Sequence, residues 1–244
     1  MHNYKIILEY EGTNFVGWQR QDNGLSVQQL IEESIQKLCS KKTTIFGAGR
    51  TDAGVHAKGQ VASFELAKYI STDTLRDGIN HHLRPYPIAV LSAEKTNPDF
   101  NARFSAKLRW YEYKIINRRS PLTLENNRVW CVHKTINIKK IIEESKKFIG
   151  KHDLSAFRSI NCQSQSAIKS IDTIDIKKKD EKIHFTIAAK SFLHSQVRIM
   201  VGTLVDIGLE KLSKSVSEII TLKNREYAGV TAPPYGLYLK KIDY

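Results

Sequence analysis

The order of patterned segments in the first half of the chain constrains the fold more than any other feature of the sequence. Alternating apolar residues predict strands, and apolar residues three or four positions apart predict helices. The segments that show these patterns are, in order, Tyr4–Tyr10, Val27–Leu38, Thr43–Phe46, Gln60–Phe64, Thr72–His82 and Ile88–Ala93. Their order, β-α-β-β-α-β, is that of the ferredoxin-like split unit.

The helix boundaries follow from capping residues. Ser26-Val27-Gln28-Gln29 has the capping-box pattern and opens the first helix. Ser71 precedes the second helix, and Pro85 and Pro87 end it.

The second half shows the same order again. Its segments are Leu108–Ile116, Ile138–Ile149 after a cap at Asn137, Ile168–Ile176, Ile183–Ala189, Gln196–Leu209, a shorter helix Val216–Leu222, and Leu237–Ile242. The proline-containing stretch Asn97–Ser105 separates the halves. We therefore predict an α+β protein with mainly antiparallel sheets. Its two ferredoxin-like halves, 1–104 and 105–244, would lie around a central cleft.

Charge is distributed unevenly along the chain, whose formal net charge is +13 with a pI near 9.6. Residues 1–104 hold 12 Lys and Arg against 11 Asp and Glu, and the remainder holds 26 against 14. Lysine runs such as 177–179 are typical of a solvated face. The excess of positive charge in the second half nonetheless favours a domain that faces nucleic acid.

Cysteine usage and hydropathy indicate the compartment. Cys39, Cys131 and Cys162 form no CxxC pair, and their odd number leaves no complete disulfide framework. No apolar run approaches the length of a membrane span, and the start of the chain has charges within its apolar run. We expect a protein of the reducing cytoplasm without a membrane partner.

A glycine-rich loop, Gly47–Ala57, lies between the second and third predicted strands. Its sequence is Gly-Ala-Gly-Arg-Thr-Asp-Ala-Gly-Val-His-Ala. Glycine permits backbone angles closed to other residues and a close approach to a ligand. A turn with a solvated Arg–Asp pair would use the same residue types.

Two cofactor motifs are excluded at this loop. A Walker loop requires Lys-Ser/Thr after its last glycine, where this chain has Val55-His56. A dinucleotide fingerprint leads directly into a helix, whereas a strand is predicted here. What remains is one carboxylate, Asp52, beside Arg50. Such an acid acts as a nucleophile or a base.

The loop resembles the catalytic motif of the pseudouridine synthases, specifically the tRNA pseudouridine synthase A family. Gly-Arg-Thr-Asp-Ala-Gly-Val-His is close to a signature of that family. Further similarity is found in 10–19 (Tyr-Glu-Gly-Thr-Asn-Phe-Val-Gly-Trp-Gln), 102–106 (Ala-Arg-Phe-Ser-Ala), 192–198 (Phe-Leu-His-Ser-Gln-Val-Arg) and 232–239 (Ala-Pro-Pro-Tyr-Gly-Leu-Tyr-Leu). The resemblance therefore covers nearly the whole chain.

The resemblance implies an isomerase that converts uridine to pseudouridine. This reaction involves neither redox change nor hydrolysis, so no cofactor and no metal are expected. Asp52 would be the catalytic carboxylate, acting on the ribose C1′ or the uracil C6 or removing the 2′ proton. Arg50 would fill or brace the space left by the extruded base.

Three residues of the second half correspond to family site residues. Arg198 matches the arginine that pairs with the catalytic aspartate, although an unplaced helical arginine is usually a surface charge. Tyr111 matches the tyrosine that stacks on the target base, yet it could equally be sheet packing with Tyr113. Leu237 matches the apolar residue beneath the uracil or is a core leucine.

The sequence departs from the family pattern at two positions. Ser63 and Ser195 stand where the family often has histidine. The change at Ser63 is expected to be tolerated. The one at Ser195 puts any role of the neighbouring position in doubt and leaves Arg198 intact. The histidines of the chain show no metal-ligand spacing.

Two function classes remain open from sequence. In the first, the protein modifies tRNA at uridines 38, 39 and 40 of the anticodon arm and forms a homodimer, as the resemblance implies. In the second, RRM-like halves bind RNA without chemistry. An RRM would have its aromatic motif on a central strand, and no such run occurs.

Overall fold

The computed structural model describes residues 1–244, which form two compact units. The first unit comprises Met1–Arg109 and Tyr238–Tyr244, and the second comprises Trp110–Leu237. None of the helices combines the length and apolar character required to span a membrane.

The chain contains ten strands and five α-helices. In order they are β1 (His2–Tyr10), α1 (Val27–Cys39), β2 (Phe46–Gly47), β3 (His56–Leu66), α2 (Thr72–Leu83), β4 (Ile88–Thr96), β5 (Leu108–Asn117), β6 (Trp130–Val132), α3 (Ile138–Lys146), β7 (Gly150–Asp153), β8 (Ile168–Lys179), β9 (Lys182–Ala189), α4 (Gln196–Gly208), α5 (Val216–Leu222) and β10 (Leu237–Asp243).

The first unit has the predicted ferredoxin-like arrangement. Strands β4, β1 and β3 are neighbours in that order, β2 lies beside β3, and these pairings are antiparallel. The last strand, β10, adds to β3 in parallel, with Tyr238 opposite His56.

In the second unit, the sheet order is β5, β9, β8, β7. The β7–β8 and β8–β9 pairs are antiparallel, and β6 lies parallel to β5. The predicted succession of strand, helix, two strands and helix is present as β5, α3, β8, β9 and α4, while β6 and β7 are additional strands that the sequence did not predict. The α+β class with mostly antiparallel pairing is confirmed.

The division into units differs from the expected 1–104 and 105–244. It falls after Arg109, and Tyr238–Tyr244 belongs to the first unit. The pairing of β10 with β3 explains the difference, together with a hydrogen bond from the Lys107 amide to the Asp243 carbonyl (2.8 Å). Strand addition of this kind joins segments that are distant in sequence.

Helix caps form where the sequence predicts them. Ser26, Ser71 and Asn137 each accept a hydrogen bond at 3.2 Å from the amide three residues later. The predicted capping box at Ser26 is wrong in its second half, because the Gln29 side chain donates to Glu33 (2.9 Å) within the helix. Helix α3 ends before Ile149, since its last turn tightens to i→i−3 bonds ahead of Gly150 (φ +102°).

The predicted strand Thr43–Phe46 is reduced to Phe46–Gly47. The reason lies in the neighbouring helix α1. The Glu32 side chain accepts from the Ile45 amide (3.2 Å), and the Gln28 amide group donates to the Ile45 carbonyl (3.4 Å). Side chains thereby satisfy backbone groups that a strand partner would otherwise bind.

Both faces of the first sheet bury apolar side chains. Tyr4, Ile6 and Leu8 of β1 are fully buried and point to one face because alternate residues share a face. Ile7 points to the other, where it packs against the cluster of Ala48, Val61 and Ala102. Ala48 precedes Asp52 by four residues, so this second core fixes the start of the glycine loop.

Candidate active site

The glycine loop connects β2 to β3 in the first unit. Asp52 is half-buried at its tip, and Arg50 is exposed. The Val55 amide donates to the Asp52 carbonyl (3.1 Å), and Gly54 has φ +77°. This positive φ lies in the left-handed region that favours glycine. The loop is therefore a tight turn that holds one half-buried carboxylate.

The segment that follows β1 lies against this turn. The Trp18 amide donates to the Thr51 carbonyl (3.1 Å). A Cβ at Gly12 would lie 2.0 Å from the Val55 carbonyl oxygen, and one at Gly17, where φ is +108°, would lie 2.5 Å from the Thr51 carbonyl oxygen. Only glycine permits this close backbone approach on both sides of Asp52.

Tyr10 braces the turn from the end of β1. Its hydroxyl lies 2.8 Å from that of Thr51, the residue before Asp52. Burial raises the pKa of Tyr10 well above its usual range, although its hydrogen bonds with Thr51 and Gln60 act in the opposite direction. Tyr10 therefore stays protonated and holds the Thr51 side chain.

Two further side chains fix the first residues of the loop. The buried Gln60 side chain donates to the Gly49 carbonyl (2.7 Å). Arg109 donates from Nε and an Nη to the Ala48 carbonyl (2.9 and 2.7 Å). Tyr10, Gln60 and Arg109 are not among the site residues predicted from sequence. The signals in the sequence are that Tyr10 and Gln60 lie at the ends of predicted strands beside the glycine loop, and that Tyr10 begins the family-like segment 10–19.

His56, the last-but-one residue of the loop, is buried and structural. Its Nδ1 accepts from the Gly12 amide (2.9 Å), and its ring stacks on Tyr238 with centroids 4.7 Å apart. This stack links the C-terminal end of the loop to β10.

Ser63 lies on β3. Its buried hydroxyl accepts from the Ala102 amide (3.0 Å). Ser63 therefore fixes the 102–106 segment within the first unit.

In the second unit, Arg198 is the one residue of α4 that is not fully buried. Its Nε donates to the Ala232 carbonyl (2.8 Å), and the Ala232 amide donates to the Arg198 carbonyl (3.1 Å). The guanidinium is thus held by the 232–239 motif.

Tyr111 and Tyr113 of β5 are both buried, as expected for residues on one face. Tyr111 packs edge-to-face on Phe192, with centroids 5.2 Å apart. The Tyr113 hydroxyl donates to the Pro233 carbonyl (2.8 Å). Burial raises the pKa of Tyr113 well above its usual range, against the opposing effect of Arg198, so that Tyr113 remains a donor.

Leu237 is 5% exposed and begins β10. Ser195 precedes α4 with φ +58° and makes no side-chain capping bond. The five predicted site residues are thus distributed between the units: Asp52 and Arg50 in the first, and Tyr111, Arg198 and Leu237 in the second.

No group of three or more His, Cys, Asp and Glu side chains is arranged to hold a metal ion. The three cysteines are free and half-buried. The glycine loop holds one half-buried carboxylate, that of Asp52.

Comparison with known proteins identifies the family. A family model described as tRNA pseudouridine synthase matches residues 6–105 and 145–244. A tRNA pseudouridine synthase A of Ehrlichia chaffeensis is 51% identical over 243 residues, with 99% of each chain covered. The protein of that name from Parvibaculum lavamentivorans is 46% identical over 245 residues, with 100% of each covered.

A solved structure, that of a Cbf5-Nop10-Gar1 complex, is more distant. It has 10% identity and a TM-score of 0.37, and the match covers 82% of this chain and 54% of that one. The relatives and the family model establish the classification without it. The chain belongs to the tRNA pseudouridine synthase family.

Proposed function

We propose that this protein isomerises uridine to pseudouridine in tRNA, at positions 38, 39 and 40 of the anticodon arm, with Asp52 as the catalytic carboxylate. The observation that supports this most directly is the braced turn around Asp52 in a chain of this family. Backbone and side-chain contacts from 10–18, Gln60 and Arg109 hold one half-buried acid in a fixed geometry. A preorganised group of this kind meets the positional demand of catalysis.

The chemistry balances without a co-reactant. The C1′–N1 glycosidic bond breaks, the uracil turns, and a C1′–C5 bond forms. The proton on C5 leaves and N1 gains one. Asp52 acts as the nucleophile, at C1′ or C6, or as the base that removes the 2′ proton.

The other site residues have assigned roles in this proposal. Arg198 favours the ionised form of the catalytic carboxylate, because an opposing guanidinium lowers the pKa of an acid. Tyr111 stacks on the target base, and Leu237 provides an apolar surface beneath the uracil. Exposed Arg50 braces the space that the extruded base vacates.

Bulk properties support the proposed partner and compartment. A net charge of +13 supports binding to tRNA through its phosphates. Free cysteines fit a reducing cytoplasm. We propose a homodimer, as the family resemblance implies, and mass measurement in solution tests it.

Incubation of the purified protein with an unmodified tRNA transcript tests the activity, with pseudouridine mapped by nucleotide position. We expect product at 38 to 40. Asp52→Asn should lose roughly 10⁴-fold or more in turnover and keep its affinity. Asp73→Asn, at an exposed carboxylate of α2, is the matched control and should be fully active. The proposal would be refuted if the transcript still contained no pseudouridine after incubation. It would also be refuted if the turnover of Asp52→Asn were within tenfold of that of the parent.

A further inference from the structure

Phe104 is the most exposed aromatic side chain of the protein, with 79% of its surface accessible. It lies in the turn 101–105, between β4 and β5. Large apolar side chains are usually withdrawn from water because their burial is favourable. An exposed ring on an ordered segment is therefore a candidate contact surface.

The turn that presents Phe104 is tightly bonded. The Asn101 side-chain oxygen accepts from the amides of Arg103 (2.9 Å) and Phe104 (3.2 Å). The Asn101 amide donates to the Ser105 hydroxyl (3.1 Å), and the Ser105 amide donates to the Asn101 carbonyl (2.9 Å). The exposure of the ring is thus a consequence of a fixed backbone.

The same turn is joined to the loop that contains Asp52. Arg109 donates to the Arg103 carbonyl (2.8 Å) and, with the same nitrogen, to the Ala48 carbonyl (2.7 Å). On the other side, the Tyr244 hydroxyl donates to the Ala102 carbonyl (2.9 Å). The Arg109 guanidinium therefore couples the position of Phe104 to the start of the glycine loop.

A cation lies over the ring. The Arg103 guanidinium is 5.5 Å from the centroid of Phe104. Both side chains are exposed, and so is Lys107 two residues beyond the turn. An aromatic face beside positive charge is the combination that binds single-stranded nucleic acid, through base stacking and phosphate contact.

We propose that Phe104, positioned with Arg103, is a stacking platform for an unpaired nucleobase that flanks the target uridine. This inference rests on the proposed function, since it takes the ligand to be tRNA. The charge of Arg103 favours RNA over an apolar protein surface. A second copy of this chain is the competing occupant, and the test below discriminates between the two.

Affinity for an unmodified tRNA transcript tests the proposal, measured in the Asp52→Asn background so that no turnover occurs. Phe104→Ala and Phe104→Leu should both weaken binding by about 5- to 150-fold, because one base stack contributes roughly 1–3 kcal/mol. Phe104→Tyr should bind within about threefold of the parent, since it keeps the aromatic face. Tyr69→Ala is the control. Tyr69 is also an exposed aromatic residue (61%), on a segment where the Ile70 amide is bonded to Tyr4 and not to the glycine loop. The affinity of Tyr69→Ala for tRNA should therefore equal that of the parent.

Fluorescence, affinity and oligomeric mass of further Phe104 variants complete the test. Phe104→Trp should show additional tryptophan quenching on RNA binding relative to the parent. Parent-like affinity in Phe104→Ala would overturn the proposal, as would a Phe104→Leu variant that binds like the parent. A change of oligomeric mass in Phe104→Ala would also overturn it, because the ring would then contact another copy. If the protein with Asp52 intact produces no pseudouridine at all, it is the proposed function that fails.

Discussion

The Tyr10 hydroxyl lies 2.8 Å from the Thr51 hydroxyl, so that the end of β1 directly holds the residue before Asp52. We predict that Tyr10→Phe lowers turnover about 5- to 20-fold with little change in affinity for tRNA. The cost in stability should be about 1 kcal/mol, as for one lost buried hydrogen bond. Steady-state kinetics and urea unfolding measure the two effects separately.

Tyr4→Phe is the matched control for this substitution. Tyr4 lies on the same strand, and its buried hydroxyl donates to the Ile70 carbonyl (2.8 Å), outside the loop. Because this hydroxyl also accepts from the Ile70 amide (2.8 Å), Tyr4→Phe should lose at least as much stability as Tyr10→Phe and should retain turnover. If Tyr10→Phe and Tyr4→Phe were equally active, the Tyr10–Thr51 contact would have no role in positioning Asp52.

Gly17 provides a second test of the loop. At φ +108° an alanine would be strained by about 1–2 kcal/mol, and its Cβ would also lie 2.5 Å from the Thr51 carbonyl oxygen. We expect Gly17→Ala to lose more than tenfold in turnover because the Thr51–Asp52 backbone must move.

Gly150→Ala is the control that introduces the same backbone strain as Gly17→Ala without displacing the glycine loop. Gly150 has a similar φ of +102°, but the nearest atom to its added Cβ would be His152 Nε2 at 3.7 Å. This variant should lose stability and keep its activity. Equal losses of turnover in the two variants would contradict the argument from close backbone approach.

Arg198 should affect chemistry more than binding. Its guanidinium is held by the Ala232 carbonyl, and in the proposed function it favours the ionised carboxylate. We expect Arg198→Ala to lower kcat by at least 100-fold, with affinity for tRNA within about threefold. Single-turnover kinetics and binding isotherms give the two quantities.

Arg225→Ala is the control for loss of a half-buried arginine in the same unit. Arg225 also donates to backbone carbonyls, those of Ala228 and Gly229. Its replacement should reduce stability and leave kcat largely unchanged. An Arg198→Ala variant with normal kcat and weak, salt-sensitive binding would place Arg198 among the phosphate contacts.

The uneven charge along the chain predicts where tRNA phosphates bind. Each neutralised phosphate contributes roughly −0.7 to −0.9 to the slope of log affinity against log salt. With about four contacts we expect a slope of about −3 or steeper. Replacement of Lys177, Lys178 and Lys179 should flatten it more than replacement of Lys41, Lys42 and Lys68. Binding titrations at several salt concentrations compare the two triple variants. A larger reduction of the slope in the variant at Lys41, Lys42 and Lys68 would refute the prediction.

The structure shows which arginines are poor probes of that charge. Arg118 pairs with Glu181 (2.9 Å) and donates to the Ser120 and Pro121 carbonyls. Its removal would disturb a local network as well as the net charge. Among the exposed lysines at the end of β8, Lys177 pairs with Asp175 (3.6 Å), but both side chains are more than half exposed, so its replacement disturbs the structure less.

The sequence by itself determined the order of elements, three helix caps and the identity of the candidate loop. These features are local. Periodicity places apolar residues on one face, and Ser26, Ser71 and Asn137 cap their helices through amides three residues away. The match to the family motif likewise needs only consecutive residues.

Only the tertiary structure decided which side chains hold the loop and where the chain divides. Tyr10 reaches Thr51, Arg109 reaches Ala48, and β10 joins β3 across most of the sequence. Thr43–Ile45 fails to form a strand because α1 side chains bind its backbone. Such contacts depend on which distant segments meet, since a hydrogen bond needs a partner within about 3 Å and a residue's own neighbours cannot specify that partner.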